Sequence, residues 1–198
     1  MDEEREARFK AQTCEQYEAL GRFVQAFELM VDASRQALSM HLQSQNASLV
    51  YLTRMIFHHP ALTAMPLFEL YRAIVYTVVN ELLPQCDESA ALCKKLLSQV
   101  AKEYRELVET RNMILHGTPL VGFAGADQDD FSEMMIIKWG VGAQGWKVYD
   151  TPKSAAELLE ICSRCAKVEN AIRLIGTASM MQDKRLKFLH RAQEELNA

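Results

Sequence analysis

Arg111, Asn112 and His116 fall within one heptapeptide, RNMILHG at 111–117, and between them offer a permanent cation, an amide and a group that titrates near neutral pH. A guanidinium holds a phosphate or carboxylate through two parallel N–H bonds, and an imidazole with an ordinary pKa of about 6.5 takes or gives a proton at neutrality. Their spacing matters as much as their types. From Leu107 to Arg111 is a step of four and from Arg111 to Ile114 a step of three, so on a helix the guanidinium leaves the backbone along the apolar stripe. Burying an unpaired cation is costly, so Arg111 is expected to meet an acidic partner or to line a wet cleft. At about 100° per residue, Asn112 and His116 lie one turn apart on an adjacent face, with Glu109 and Arg105 a turn or two earlier. Arg111 and His116 point about 140° apart, a gap that a long side chain partly closes at a helix end. Arg111, Asn112 and His116 are thus candidates to converge on one anion, with Glu109 in support. The plainer alternative is a helix ending: a histidine in the last turn suits the dipole, a following glycine tolerates left-handed angles, and Arg105 with Glu109 makes an i,i+4 pair.

Other residues carry weaker signals. Glu69 stands in the most apolar helical segment, where a carboxylate wants a positive partner; Arg111 is the partner of interest and Arg72 the local one. Cys162 and Cys165 form a C-x-x-C pair, but inside a helix, with Cys165 on the apolar stripe and no second pair at zinc-finger spacing, so a packing role is expected. His41 shares a register with Val24, Val31 and Leu38 and is expected to be a hydrogen-bonded core or interface histidine. His58 and His59 read as the end of a short helix, and Asp127, Asp129 and Asp130 as a solvated loop, since no EF-hand pattern follows. No metal site and no cofactor is expected.

The elements that position these residues follow from periodicity. From Asp2 to Gln43, Tyr17, Leu20, Val24, Phe27, Val31 and Leu38 predict one stripe on a long first helix. LVYLTRMIF predicts a short second helix stopped before Pro60. The third, from Met65 to Leu83, is flanked by prolines and is expected to be central and the most buried. The fourth, with Asp87 or Ser89 as cap, carries Leu97, Val100, Tyr104, Leu107 and Ile114 on one stripe and ends at Gly117 and Pro119. Residues 117–132 read as loop, and MMIIKW and WKVYD, separated by GVGAQG, as a β-hairpin over about 133–150. After a Thr151-Pro152 start the pattern returns to helix almost to the end, with Leu158, Ile161, Cys165, Val168, Ile172, Ile175, Leu186, Leu189 and Leu196 on one heptad-like register. The long first and last helices are expected to pack together or against a partner subunit beyond the central bundle.

The segment RNMILHG resembles the R-x4-6-H signature of HEPN domains, in the form with Asn directly after Arg and Gly after His. The arrangement is similar too, since that family is a helical bundle with the signature near the end of one helix. The resemblance implies a dimer with a composite site. It also implies metal-independent RNA cleavage, in which the substrate's own 2′-hydroxyl attacks the adjacent phosphate, Arg111 stabilises the charge, His116 moves protons and Asn112 orients them. A toxin or stress effector of this kind implies a cognate antitoxin or other regulatory protein. Family toxins controlled by nucleotidylation carry a tyrosine two residues after the histidine, where this chain has Thr118, so that control is not expected. Other members are binding modules for a nucleotide or a protein partner, and that reading stays open.

Composition bounds the rest. With 198 residues, 49% hydrophobic, 24% charged, eight Gly and five Pro, the chain reads as one ordered all-α domain, a HEPN-like antiparallel bundle over 1–198 with a small inserted hairpin. A net charge of −4 and a pI near 5.8 exclude a protein that coats nucleic acid non-specifically, while leaving room for a local cationic site. No stretch approaches the roughly 18 apolar residues of a membrane span, MDEEREARFK lacks the layout of a signal peptide, and the five cysteines show no secreted framework; a soluble cytoplasmic protein with free thiols is expected.

Overall fold

In the first helix, α1 (Glu3–Gln43), acidic Glu3, Glu4 and Glu6 occupy the first turn, where the helix dipole favours negative charge. A computed structural model describes residues 3–43, 55–59, 62–82, 88–123, 130–139, 146–149 and 154–198. The buried face of α1 is rotated from the predicted stripe. Phe27, Val31 and Leu38 are buried as expected, but Tyr17 is 59% exposed, Leu20 and Val24 are half-buried, and Gln16, Ala19, Phe23, Met30, Ser34 and His41 complete the inner face. The periodicity misjudged this face because Gln16 and Ser34 counted as polar; Gln16 is buried stably because its amide hydrogen bonds are made.

Helix α2 (Ala64–Leu82) carries Pro66 in its first turn, where a missing N–H breaks no intrahelical bond. It buries Leu67, Phe68, Tyr71, Val75 and Val79, yet exposes Leu70, Arg72, Ala73 and Tyr76. It is amphipathic, with one open side, rather than buried all round as its composition suggested. Helix α3 (Glu88–His116) buries all of Leu97, Val100, Tyr104, Leu107 and Ile114. Because α3 begins at Glu88, Ser89 lies inside it and is not its cap; Asp87 lies outside the described residues. Of the short helix expected before Pro60, residues 55–57 are helical and His59 N–H closes the turn onto Ile56 O at 3.2 Å; residues 49–54 lie outside the described residues.

Three antiparallel strands follow, β1 (Thr118–Phe123), β2 (Glu133–Trp139) and β3 (Trp146–Tyr149), in the order β1-β2-β3. The expected hairpin is β2 with β3, where Ile136 faces Tyr149 and Trp139 faces Trp146. The remaining strand, β1, lies in the span whose Gly, Pro and Asp content predicts a loop. Thr118–Phe123 pairs with β2 from Thr118↔Ile137 to Phe123↔Glu133, with an irregularity between Leu120 and Phe123. Pro119 is tolerated because an edge strand need not donate on both sides, and Gly122 takes φ +69 at the irregularity, a conformation costly for any residue with a Cβ.

The chain re-enters helix at Ser154, whose Oγ accepts from Glu157 N–H at 3.3 Å and so caps α4 (Ala155–Met180). The expected Thr151-Pro152 start lies outside the described residues. The final helical stretch is not continuous: after Met180 comes a 3-10 turn, Gln182–Lys184, and then α5 (Arg185–Asn197). The apolar register has no member between Ile175 and Leu186, and Leu186 is exposed. Arg185, 6% exposed, donates from Nε to Ala178 O at 3.2 Å, satisfying a carbonyl that the end of α4 releases.

Contacts group the residues into two compact units. One comprises 1–27 and 107–164, the other 28–106 and 165–198. In the first, Phe9 meets Phe131 edge-on at 5.2 Å and the guanidinium of Arg5 lies 5.6 Å from the Phe131 ring. In the second, Phe68 stacks on Tyr104 at 4.3 Å and Tyr71 Oη donates to Ile172 O at 3.0 Å. His41 is buried, with Nε2 2.9 Å from Ser179 Oγ. Since the serine proton goes to Gly176 O at 2.7 Å, His41 Nε2–H is the donor in that pair. Burial pushes the His41 pKa down. Cys14, Cys93, Cys162 and Cys165 are free thiols, with Cys93 and Cys165 buried; Cys86 lies outside the described residues. No described helix is long and apolar enough to cross a membrane.

Candidate functional site at the end of helix α3

Arg111 is half-buried between Leu107 and Ile114, which are 0% and 2% exposed, as the step of four and the step of three required. Of the two surroundings expected for it, an acidic partner or a wet cleft, the first is not found among the described residues, where no carboxylate pairs with it. Its guanidinium carbon instead lies 5.7 Å from the Phe27 ring centroid, and Nη1 donates to Asn112 Oδ1 at 3.3 Å. An aromatic face and a neighbouring amide thus hold the cation on the apolar side of the helix. Its Nε is buried and has no hydrogen-bond partner among the described residues. Leaving a buried donor unmade costs about 1–3 kcal/mol, and such an orphan calls for an explanation.

His116 is the last residue of α3 and is exposed. Among the described residues it makes no hydrogen bond or ion pair. Arg111 and Asn112 are therefore brought together, while His116 stands in solvent at the same helix end, favoured there by the dipole. Glu109 is exposed one turn before Asn112. Glu69, the other supporting carboxylate, pairs with Arg72 at 2.8 Å, the local partner, on the partly exposed face of α2.

Gly117 ends α3 for a different reason from the one its sequence context suggested. Gly122 is the only glycine at positive φ among the described residues, so Gly117 needs no left-handed angle. A Cβ at Gly117 would overlap Ile136 Cγ2 on β2 and lie 2.7 Å from Met113 O. The glycine is there for close approach, and Gly117 N–H completes the last turn onto Met113 O at 3.0 Å. Thr118 then begins β1 directly opposite Ile137, so strand register fixes where the helix end and His116 stand.

Two glutamines, one turn apart on α1, secure that sheet. Gln16 Nε2 donates to Phe131 O at 2.9 Å and Glu133 O at 3.1 Å, and its Oε1 accepts from Gly122 N–H at 2.8 Å. Gln12 Oε1 accepts from Phe131 N–H at 2.8 Å, and its Nε2 donates to Asp130 Oδ1 at 3.0 Å. Asp130 also accepts from Ser132 N–H at 2.9 Å, and that bond foremost holds its carboxyl below the usual range. It is thus an ordered turn residue; Asp127 and Asp129 lie outside the described residues. From the sequence Phe27 was placed on the apolar stripe of α1 but not linked to Arg111, and Gln12 and Gln16 were not singled out, their i,i+4 spacing on α1 being the one local signal.

No described group of three His, Cys, Asp or Glu side chains is placed to hold a metal ion. Compared with known proteins, the chain matches no family model, no curated protein and no solved structure.

Proposed function

We propose that the chain is a metal-independent RNA endonuclease of HEPN type, acting in the cytoplasm as a toxin or stress effector, with Arg111, Asn112 and His116 as its working residues. The observation that carries this reading is the buried Nε of Arg111, without a hydrogen-bond partner among the described residues, on a guanidinium already oriented by Phe27 and Asn112. A cation so positioned keeps donors in hand for an anion and loses little freedom on binding one.

In the reaction, the ribose 2′-oxygen attacks phosphorus while its proton passes to an imidazole. The P–O5′ bond breaks and the departing 5′-oxygen takes a proton from an imidazolium, leaving a 2′,3′-cyclic phosphate and a 5′-hydroxyl. Arg111 holds the charge that builds on the phosphate oxygens. One chain offers one such histidine, so a second copy supplies the second, and an exposed His116 suits a site completed by another chain. A cognate antitoxin would act by covering this helix end.

Purified protein incubated with RNA in EDTA, beside His116→Ala and Arg111→Ala variants, tests the proposal. Cleavage by the wild type, reduced about 10²-fold or more in the His116 variant, is the expected result. A second reading, a non-cleaving module that binds RNA or a protein through the same helix end, is favoured by His116 having no orienting partner among the described residues. Retained RNA binding without cleavage, weakened in Arg111→Ala, would select it.

A further inference from the structure

In the second unit α2 and α3 line a half-open pocket of about 370 Å³, whose walls include Glu69, Arg72, Tyr76, Lys94, Leu97 and Ser98. Its walls are not those of an incidental groove. Lys94 Nζ stands 5.3 Å from the Tyr76 ring centroid, and Arg72 is steered by its 2.8 Å contact to Glu69. Two cations, one from each helix, therefore face one apolar recess with an aromatic wall, while the Ser98 hydroxyl in the lining has its proton committed to Lys94 O at 3.1 Å.

We propose that this cavity binds a small organic anion, a phosphate monoester or carboxylate carried on an apolar body. The size is that of a small-molecule site, at the low end of the range of about 300–1,000 Å³. The charge follows from occupancy: an ammonium already covers the Tyr76 ring, so a cationic ligand would meet Lys94 and Arg72 rather than the ring's negative face. Glu69 is engaged by Arg72, while among the described residues Lys94 pairs with no carboxylate, which places the anionic head at the Lys94 ammonium, with the apolar body against Leu97, Ala73 and Tyr76. This inference is independent of the function proposed for the end of α3.

Calorimetric titration of the full chain with phenyl phosphate, benzoate and inorganic phosphate tests it. Saturable binding of phenyl phosphate or benzoate, tighter than inorganic phosphate, is expected, and whichever of the two binds better identifies the head group. Lys94→Gln should weaken that binding about tenfold, as the loss of one charge-assisted contact does. Tyr76→Ser should abolish the preference over inorganic phosphate. Both positions are exposed, so unchanged thermal midpoints will show that the variants are folded. No saturable binding by the wild type, equal binding of all three probes, or binding unaffected by Lys94→Gln would overturn the proposal.

Discussion

Replacing Gln16 by leucine removes three hydrogen bonds at once while leaving the helix and the side-chain volume nearly unchanged. Gln16 is 1% exposed; its bond to Phe131 O is buried, and those to Glu133 O and from Gly122 N–H are part-buried. A buried group left unpaired costs about 1–3 kcal/mol, and water recovers part of that cost at the two outer bonds, so the loss should be about 3–4 kcal/mol. For a chain of this length each kcal/mol moves the thermal midpoint by about 2–4 °C, giving a fall of about 10 °C. Gln16→Glu should fall at least as far, because a carboxylate still accepts from Gly122 but faces the Phe131 and Glu133 oxygens without a proton to donate. Thermal unfolding by circular dichroism gives the midpoint, and amide hydrogen exchange should show Gly122 losing its protection. A Gln16→Leu midpoint within about 2 °C of the wild type, with Gly122 still protected, would refute the idea that this side chain secures the sheet.

Gly117→Ala should destabilise by about 1–3 kcal/mol, seen as a lower denaturant midpoint, because its Cβ would meet Ile136 and Met113 O. His41 has a folded pKa below its unfolded value, so the unfolded chain binds the extra proton: its contribution is intact above the unfolded pKa of about 6.5 and is lost as pH falls through the folded pKa. His41→Gln should flatten the stability profile below about pH 6.5, measured by denaturation at several pH values. Alkylation of the folded protein at about pH 8 should label Cys14, which is exposed, well before Cys93, whose burial pushes its pKa up to about 11, or buried Cys165; peptide mass spectrometry in native and denaturing buffer checks the order.

Local periodicity made the inner face of α3 legible, and with it the anomalous placement of Arg111, because Leu107, Arg111 and Ile114 lie on one helix and no distant residue is needed to see their spacing. Phe27, which takes the place of an acidic partner, was not legible, since it comes from a helix some 80 residues away. Strand β1 was hidden by Pro119 and Gly122, which mark loops in isolation but suit an edge strand with an irregularity that Gln16 closes from α1. Counting amides as outward also tilted the stripe of α1 onto Tyr17. The interruption between α4 and α5 was visible only as a gap in the apolar register from Ile175 to Leu186; the buried Arg185 that bridges it depends on a carbonyl seven residues earlier.

The ends left on cut RNA test the proposed chemistry most directly. In EDTA, the wild type should leave 2′,3′-cyclic phosphate and 5′-hydroxyl ends, identified by mass spectrometry, and a single 2′-deoxy substitution at the cleaved nucleotide or a His116→Ala change should stop the reaction. RNA left intact by the wild type, or the same ends produced by His116→Ala, would contradict it.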